Sequence, residues 1–147
     1  LGFESYMGAV KKAFVSWEDI ELDVQKIVAQ VGNVDYVVGI PRGGLVIAVM
    51  ISHRLGVKHM TIDHLEKLEE FGLDIDKKKI LVVDDISDSG QTLKRFIKQG
   101  YTTATLDVRH TTVAIPEHYA NWIDNADWIV YPWEHKDSKT IQDYLDN

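Results

Sequence analysis

The chain has 147 residues, of which 45% are hydrophobic and 27% are charged, a composition typical of one globular domain and unlike disordered, collagen-like or coiled-coil chains. Sixteen Lys and Arg residues against 23 Asp and Glu residues give a formal charge of −7, which argues against a surface that binds nucleic acid or coats an anionic membrane. Cysteine is absent, which excludes a disulfide framework, a thiolate zinc site and a cysteine nucleophile.

No stretch of the sequence predicts a membrane span or a signal peptide. The longest apolar run, Leu45 to Ile51, is far too short to cross a bilayer. The first residues lack a basic region followed by an apolar stretch. We therefore expect a single soluble domain over residues 1–147, located in the cytoplasm.

The N-terminal half of the sequence predicts alternating helices and strands. Ser16 is a candidate helix N-cap with Asp19 as its capping-box partner, and apolar residues follow at helical spacing. The predicted elements, in chain order, are a helix from Ser16 to a stop at Gly32-Asn33, a strand over 36–40, a loop over 41–44, a helix over 45–55 ended by Gly56, a strand over 58–62, and a helix or loop over 63–79.

The C-terminal half continues the alternation. Its predicted elements are a strand over 80–83, a loop over 84–90, a helix over 91–99 ended by Gly100, strands over 103–108 and 128–131, and a terminal helix over 137–145. Short strands that are apolar on both faces, alternating with helices, predict an α/β fold with a parallel sheet covered on both sides. Ligands of such sheets bind beyond the carboxyl ends of the strands.

One of the loops at that predicted edge carries unusual chemistry. The apolar strand before it ends at two adjacent carboxylates, Asp84 and Asp85, which suit Mg²⁺ or the hydroxyls of a sugar. Segment 88–92 then adds hydroxyls and a glycine at a helix start, where free N–H groups bind anions. The two features together describe a site for a ribose phosphate. A capped helix with a solvated acidic turn would show a similar composition.

The stretch from Val82 to Leu93 resembles the 5-phosphoribosyl-1-pyrophosphate (PRPP) binding motif of type I phosphoribosyltransferases. That motif places two acidic residues after a run of apolar ones, then a variable pair, Asp, Thr or Ser, Gly, and a Thr two positions later. The resemblance implies the type I phosphoribosyltransferase fold, a central and mostly parallel twisted sheet with helices on both faces and a small hood.

The same resemblance implies roles for the residues of this motif. Asp84 and Asp85 would hold the ribose hydroxyls and Mg²⁺, the metal partly through water and substrate. Asp88 would be the catalytic carboxylate that takes a proton from the purine N7. The 5′-phosphate would bind to Asp88, Ser89, Gly90, Gln91 and Thr92.

The loop after the first predicted strand resembles the pyrophosphate loop of the same family. Arg42 supplies a cation, and Gly43 and Gly44 leave the backbone open to close approach. Two glycines in a tight strand-to-helix turn would be unremarkable by themselves. The resemblance also implies a cis peptide between Pro41 and Arg42.

Three further patches narrow the resemblance to bacterial and archaeal xanthine–guanine phosphoribosyltransferases. They are Phe14 to Ile20, Pro41 to Leu45 with Ser52 to Gly56, and Trp128 to Glu134. In that subfamily Trp128 would stack on the purine and the backbone of Ile129 would read the base edge. A tryptophan considered alone is more often a core residue, and Trp122 and Trp133 are assigned to the core or an interface.

Two features depart from the subfamily pattern. Arg109 stands 19 residues before Trp128, where the family has a lysine that donates to the purine 6-oxo group. Arginine can keep this contact or mark a changed substrate. The family also has a long mobile flap over the reacting centre, whereas here only a short flap region over 63–79 is expected, followed by a hood and base-recognition region over about 109–135.

The resemblance implies an Mg²⁺-dependent purine phosphoribosyltransferase that converts PRPP and xanthine or guanine into the nucleoside 5′-monophosphate and pyrophosphate, with hypoxanthine as a close alternative. The expected assembly is a homo-oligomer, dimer or tetramer, without nucleic-acid partners. The rival hypothesis is a PRPP- or nucleotide-sensing module with the same fold and little activity. The short flap favours this rival, whereas the absence of a basic face and of a DNA-binding segment argues against it.

Overall fold

A five-stranded parallel sheet forms the centre of the protein, whose computed structural model describes residues 11–137. Every neighbouring pair of strands in this sheet is parallel, which confirms the predicted α/β class. Across the sheet the strands are β3 (Lys58–Met60), β2 (Tyr36–Gly39), β4 (Ile80–Ser87), β5 (Thr102–Arg109) and β6 (His118–Ile123).

Two more strands form a separate two-stranded parallel sheet, β1 (Lys12–Phe14) with β7 (Trp128–Val130). The helices are α1 (Trp17–Gln30), α2 (Gly43–Leu55), α3 (Ile62–Glu70) and α4 (Gln91–Gln99), with a 3₁₀ turn at Lys77–Lys79. In the part of the chain that the structure describes, none of the helices combines the length and the apolar character that a membrane crossing requires.

Strand β4 shows how both faces of the sheet are buried. Leu81 and Val83 point into a core cluster with side chains of α1 and α2. Ile80 and Val82 point to the opposite face, into a second cluster with side chains of α3 and α4. All four side chains are at most 3% exposed. This burial explains why β4 starts as an uninterrupted apolar run rather than an alternating one.

The predicted helix signals are confirmed. The Ser16 side chain accepts from the Asp19 N–H and the Asp19 carboxylate accepts from the Ser16 N–H, each at 3.0 Å, so the capping box is complete. Gly56 and Gly100 end α2 and α4 in the left-handed region, with φ of 69° and 93°. Both are positions that favour glycine because it lacks a Cβ.

Several predicted boundaries were wrong. Strand β4 continues to Ser87, four residues beyond the predicted end, because Asp84, Ile86 and Ser87 still pair with β5. Strand β3 ends at Met60 rather than at 62, because Thr61 caps α3 by accepting from the His64 N–H. Strands β1 and β6 were not predicted. The predicted helix over 137–145 lies, from residue 138 onward, outside the described residues.

The stretch 63–79, expected to be a short flap, holds most of helix α3 and the 3₁₀ turn. Strands β3 and β4 are both parallel to β2, so the chain leaving the carboxyl end of β3 must return to the amino edge of the sheet before β4 begins. Helix α3 makes this return, with Ile62 and Leu65 buried against the sheet. Residues 71–76 therefore lie towards the amino edge.

Glycine at position 39 allows α2 to pack directly on the backbone of β2, and this contact can be tested. A Cβ at Gly39 would lie 2.7 Å from the Gly44 carbonyl oxygen and 2.9 Å from the Ala48 Cβ. We expect Gly39→Ala to lower the free energy of unfolding by about 1–3 kcal/mol, as other overpacking substitutions do. Urea denaturation followed by circular dichroism measures it.

The matched control is Gly32→Ala, because nothing lies within 4 Å of a Cβ built there. This variant should stay within about 0.5 kcal/mol of the parent chain. Equal stability of the two variants would show that the close approach of α2 to β2 does not constrain the fold.

Candidate active site

A cavity of about 340 Å³ opens at the carboxyl edge of the sheet, beyond the ends of β2, β4 and β5. Because these strands are parallel, the segments that follow them meet at one edge. Twelve sequence-predicted site residues line the cavity: Arg42, Gly43, Asp84, Asp85, Asp88, Ser89, Gly90, Gln91, Thr92, Arg109, Trp128 and Ile129.

The two neighbouring carboxylates lie on the floor of this cavity, half-buried at the end of β4. Asp84 Oδ1 accepts from the Asp85 N–H at 2.8 Å, and Asp85 Oδ1 accepts from the Ile86 N–H at 2.7 Å. Burial raises the pKa of Asp84 well above its usual range, and the adjacent Asp85 raises it further. Burial also raises the pKa of Asp85, to about 6.

This pair offers the hard oxygen donors that Mg²⁺ prefers, and a cation bound there would favour the charged forms that burial disfavours. Within residues 11–137, no three Asp, Glu or His side chains are grouped closely enough to hold a metal ion. The protein residues present therefore fit a metal that takes its remaining ligands from water or from a bound substrate.

The loop between β2 and α2 lies directly against the carboxylate pair. Its Pro41–Arg42 peptide is cis, as the resemblance implies. A Cβ at Gly43 would overlap the Asp85 carboxylate, so glycine permits this close approach. Gly44 differs from the prediction: it does not line the cavity but is buried, and a Cβ built on it would collide with the Val83 carbonyl oxygen, which makes it a packing residue.

Segment 88–92 curves into the N-terminus of α4, which begins at Gln91. Gly90 precedes the helix in the left-handed region with φ of 85°, and a Cβ there would collide with the Thr112 hydroxyl. The Ser87 hydroxyl lies 2.8 Å from the same Thr112 hydroxyl, so residues behind the loop fix its shape. The helix N-terminus faces the cavity and offers N–H donors and positive dipole to an anion.

Asp88, the predicted proton acceptor, contacts Arg109, the residue predicted to donate a hydrogen bond to the purine. Arg109 Nε donates to Asp88 Oδ1 at 3.1 Å, and Arg109 Nη1 donates to the Asn125 carbonyl at 2.8 Å. The Arg109 side chain is 11% exposed, whereas that of Asp88 is 61% exposed. The guanidinium is thus held at two points, a geometry that the single amino group of lysine would not reproduce.

The opposite wall of the cavity comes from β7 and the residues after it. Trp128 is 45% exposed and presents its ring, with Ile129 beside it. Trp133, assigned to the core or an interface from the sequence, also lines the cavity, and its ring stacks on Tyr131 with centroids 5.1 Å apart.

Tyr131, Glu134 and His135 line the cavity as well, although sequence reasoning gave them no role. One feature of the sequence indicated such a role. Tyr131 and Glu134 belong to the patch from Trp128 to Glu134, which resembles the base-recognition region of the subfamily, and His135 directly follows that patch. By contrast, none of the residues that line the cavity comes from 61–79, so the expected flap region contributes nothing to its described walls.

Comparisons with known proteins find relatives that are named as phosphoribosyltransferases. A xanthine-guanine phosphoribosyltransferase of Idiomarina loihiensis is 25% identical over 142 residues, covering 84% of this chain and 88% of the relative. One from Cereibacter sphaeroides is 28% identical over 144 residues, covering 82% and 85%. A solved purine phosphoribosyltransferase from Pyrococcus horikoshii is 25% identical with a TM-score of 0.70, covering 88% of this chain and 99% of that one.

Residues 12–100 match the family described as the phosphoribosyl transferase domain. The match spans more than half of the chain and includes the loop after β2, the carboxylate pair and the segment that leads into α4. It ends before β5, so Arg109 and the wall formed by Trp128 lie outside it. The chain therefore belongs to the phosphoribosyl transferase domain family.

Proposed function

We propose that this protein transfers the 5-phosphoribosyl group of PRPP to a 6-oxopurine, giving the nucleoside 5′-monophosphate and pyrophosphate. The observation that carries the proposal is that one cavity brings together the Arg42-Gly43 loop, the Asp84–Asp85 pair, segment 88–92 and Trp128. Each feature suits one part of the reacting pair: pyrophosphate, ribose, 5′-phosphate and base. The names of the curated relatives, which are xanthine-guanine enzymes, support the purine.

In the proposed reaction the purine N9 forms a bond to C1 of PRPP while the bond from C1 to the pyrophosphate oxygen breaks. The transition state carries positive charge on the ribose, whose hydroxyls Asp84 and Asp85 hold. Asp88 accepts the proton from the purine N7 and is the exposed carboxylate closest to Arg109. Arg42 and the backbone at Gly43 bind the leaving pyrophosphate.

Mg²⁺ would be held at Asp84 and Asp85 with water and substrate oxygens, and would supply charge neutralisation for the pyrophosphate. Burial raises the pKa values of the two carboxyls, and a bound divalent cation would shift both towards their charged forms.

The Arg42-Gly43 loop and segment 88–92 are together called the PRPP loops. The wall of the cavity opposite them would recognise the base. The exposed Trp128 ring would stack on the purine, with the Ile129 backbone at the base edge and Arg109 donating to the 6-oxo group. Xanthine, guanine and hypoxanthine share that oxygen and differ at C2. Turnover with PRPP, Mg²⁺ and each of guanine, xanthine, hypoxanthine, adenine and orotate tests the proposal, and we expect the 6-oxopurines alone to react.

One observation favours the rival hypothesis of a sensing module. Residues 61–79 supply no part of the described cavity wall, and a lid that excludes water assists many transfer reactions. Calorimetry beside the turnover assay separates the two functions. Tight binding of PRPP or nucleotide without turnover of any base would establish sensing and contradict the proposed enzyme.

The role of Asp88 predicts a loss of rate without a loss of PRPP binding. Asp88→Asn keeps the shape of the side chain but removes the proton acceptor, so we expect kcat to fall by about 10²- to 10⁴-fold. PRPP affinity, measured by calorimetry, should change little. Asp124→Asn, at an exposed loop position away from the cavity, is the control and should keep full activity. Unchanged turnover in Asp88→Asn would remove the assigned role.

The stacking role of Trp128 predicts a selective loss of base affinity. Stacking on an aromatic side chain is worth about 1–3 kcal/mol per base, so Trp128→Ala should raise the KM for the purine about 5- to 150-fold. The KM for PRPP should stay the same. Trp122→Ala is a matched control, because Trp122 is 47% exposed against 45% for Trp128 but does not line the cavity. Equal effects of the two substitutions would contradict stacking.

Removal of divalent cations tests the metal assignment. We expect a chelator to abolish turnover and added Mg²⁺ to restore it, because the half-buried carboxylate pair needs a cation before it can accept an anionic pyrophosphate. Full turnover in the presence of excess chelator would show that the pair acts without metal.

A further inference from the structure

The base-recognition strand is not a member of the main sheet. Within the described residues, strand β7 pairs with β1 alone, through Lys12 with Trp128, Ala13 with Ile129 and Phe14 with Val130. The distance between Trp128 and the PRPP loops is therefore not set by the ladder of the five-stranded sheet. The wall of the cavity that Trp128 and Ile129 form is called the base wall. Some other contact must hold this base wall against the five-stranded sheet.

The residue after β7 makes such a contact. Tyr131 is 3% exposed, and its hydroxyl donates to Asp107 Oδ2 at 2.6 Å, while the Asp85 carbonyl lies 3.4 Å away. Asp107 belongs to β5, two residues before Arg109. One hydrogen bond thus joins the wall that carries Trp128 to the strand that carries Arg109.

The acceptor of this bond is itself fixed from the other side. Asn121 lies opposite Asp107 in the register of β5 and β6, and its Nδ2 donates to Asp107 Oδ1 at 3.0 Å. The same amide donates to Asp23 of α1 at 3.0 Å. Asp107 is 4% exposed, so its carboxylate is held in one orientation away from bulk water.

We propose that the Tyr131–Asp107 hydrogen bond positions the base wall and thereby sets the affinity for the purine. This inference rests on the proposed function. Tyr131 and Asp107 are positioning residues: the Tyr131 hydroxyl is turned to Asp107, and Asp107 does not line the cavity. The bond fixes Trp128 and Ile129 relative to Arg109, the three groups expected to contact the base.

A bond from a hydroxyl to a buried carboxylate is strong enough for this role. Hydrogen bonds to charged groups are stronger than those between neutral groups, and a length of 2.6 Å is in the short range typical of charge-assisted pairs. The alternative is that Tyr131 acts only through its ring, which is stacked on Trp133 within the core cluster. Substitution by phenylalanine keeps the ring and separates the two roles.

The test is a comparison of Tyr131→Phe with the parent chain in the two-substrate assay. We expect the KM for the preferred purine to rise about tenfold, which corresponds to about 1.4 kcal/mol. The KM for PRPP and kcat at saturation should stay within about twofold, since the PRPP loops are built on β2 and β4. A parallel rise in both KM values, or an unchanged KM for the purine, would overturn the proposal.

A matched control tests whether loss of any buried hydroxyl has the same effect, and a second variant tests the other side of Asp107. Tyr101→Phe removes another buried hydroxyl, one that lies beside Glu69 of α3 and does not line the cavity, and should leave both KM values unchanged. Asn121→Ala loosens Asp107 from β6 and should raise the KM for the purine in the same direction. If Asn121→Ala leaves it unchanged while the variant remains folded by circular dichroism, the network beyond Asp107 plays no part and the proposal is contradicted.

A binding measurement keeps failure of this inference distinct from failure of the proposed function. Calorimetry gives the affinity for guanosine monophosphate relative to that for ribose 5-phosphate, and needs no turnover. If the parent chain turns over no base, the proposed enzyme function is contradicted, whereas the positioning role of Tyr131 is not. The positioning role still requires Tyr131→Phe to lower this affinity ratio about tenfold, the same fold-change expected of the KM, and an unchanged ratio overturns it.

Discussion

The burial of β4 on both faces is the constraint on which the site depends. Four apolar residues fill this strand from position 80 to 83, and the next two are Asp84 and Asp85. A shift of the strand along its axis would pull a carboxylate into one of the two apolar clusters, at a cost of several kcal/mol per charge. The register is therefore fixed with the carboxylates at the carboxyl edge, and the loops after β2 and β4 meet beside them.

The register of β4 also determines how negative and positive groups are arranged around the cavity. The acidic pair lies on the cavity floor, while the N-terminus of α4 and the loop carrying Arg42 face the same space. An anionic floor next to positive rims suits a ligand that carries phosphates at its ends and hydroxyls or metal between them. The formal charge of −7 is compatible with such a ligand because recognition depends on these few local groups.

Sequence reasoning succeeded where the signal was local and failed where it was not. The capping box at Ser16 and the stop at Gly100 are complete within a few residues, and the residues of the motifs at 41–43 and 84–92 meet at one cavity. Strand β6 has no apolar alternation, because it lies at the sheet edge, and so escaped prediction. The Tyr131–Asp107 bond joins residues 24 apart, and no pattern within either segment indicates it.

The two halves of the site thus have different physical origins. The proposed PRPP side is built by backbone register in the main sheet and lies within the family match over 12–100. The proposed base side is built by side-chain bonds across elements, from Tyr131 to Asp107 and from Arg109 to the Asn125 carbonyl, and lies beyond that match. Under the proposed function, substitutions on β7 can change which purine fits without altering the pairing of β4, because β7 is not a strand of the five-stranded sheet. The choice of base would then be free to vary around a fixed phosphoribosyl site.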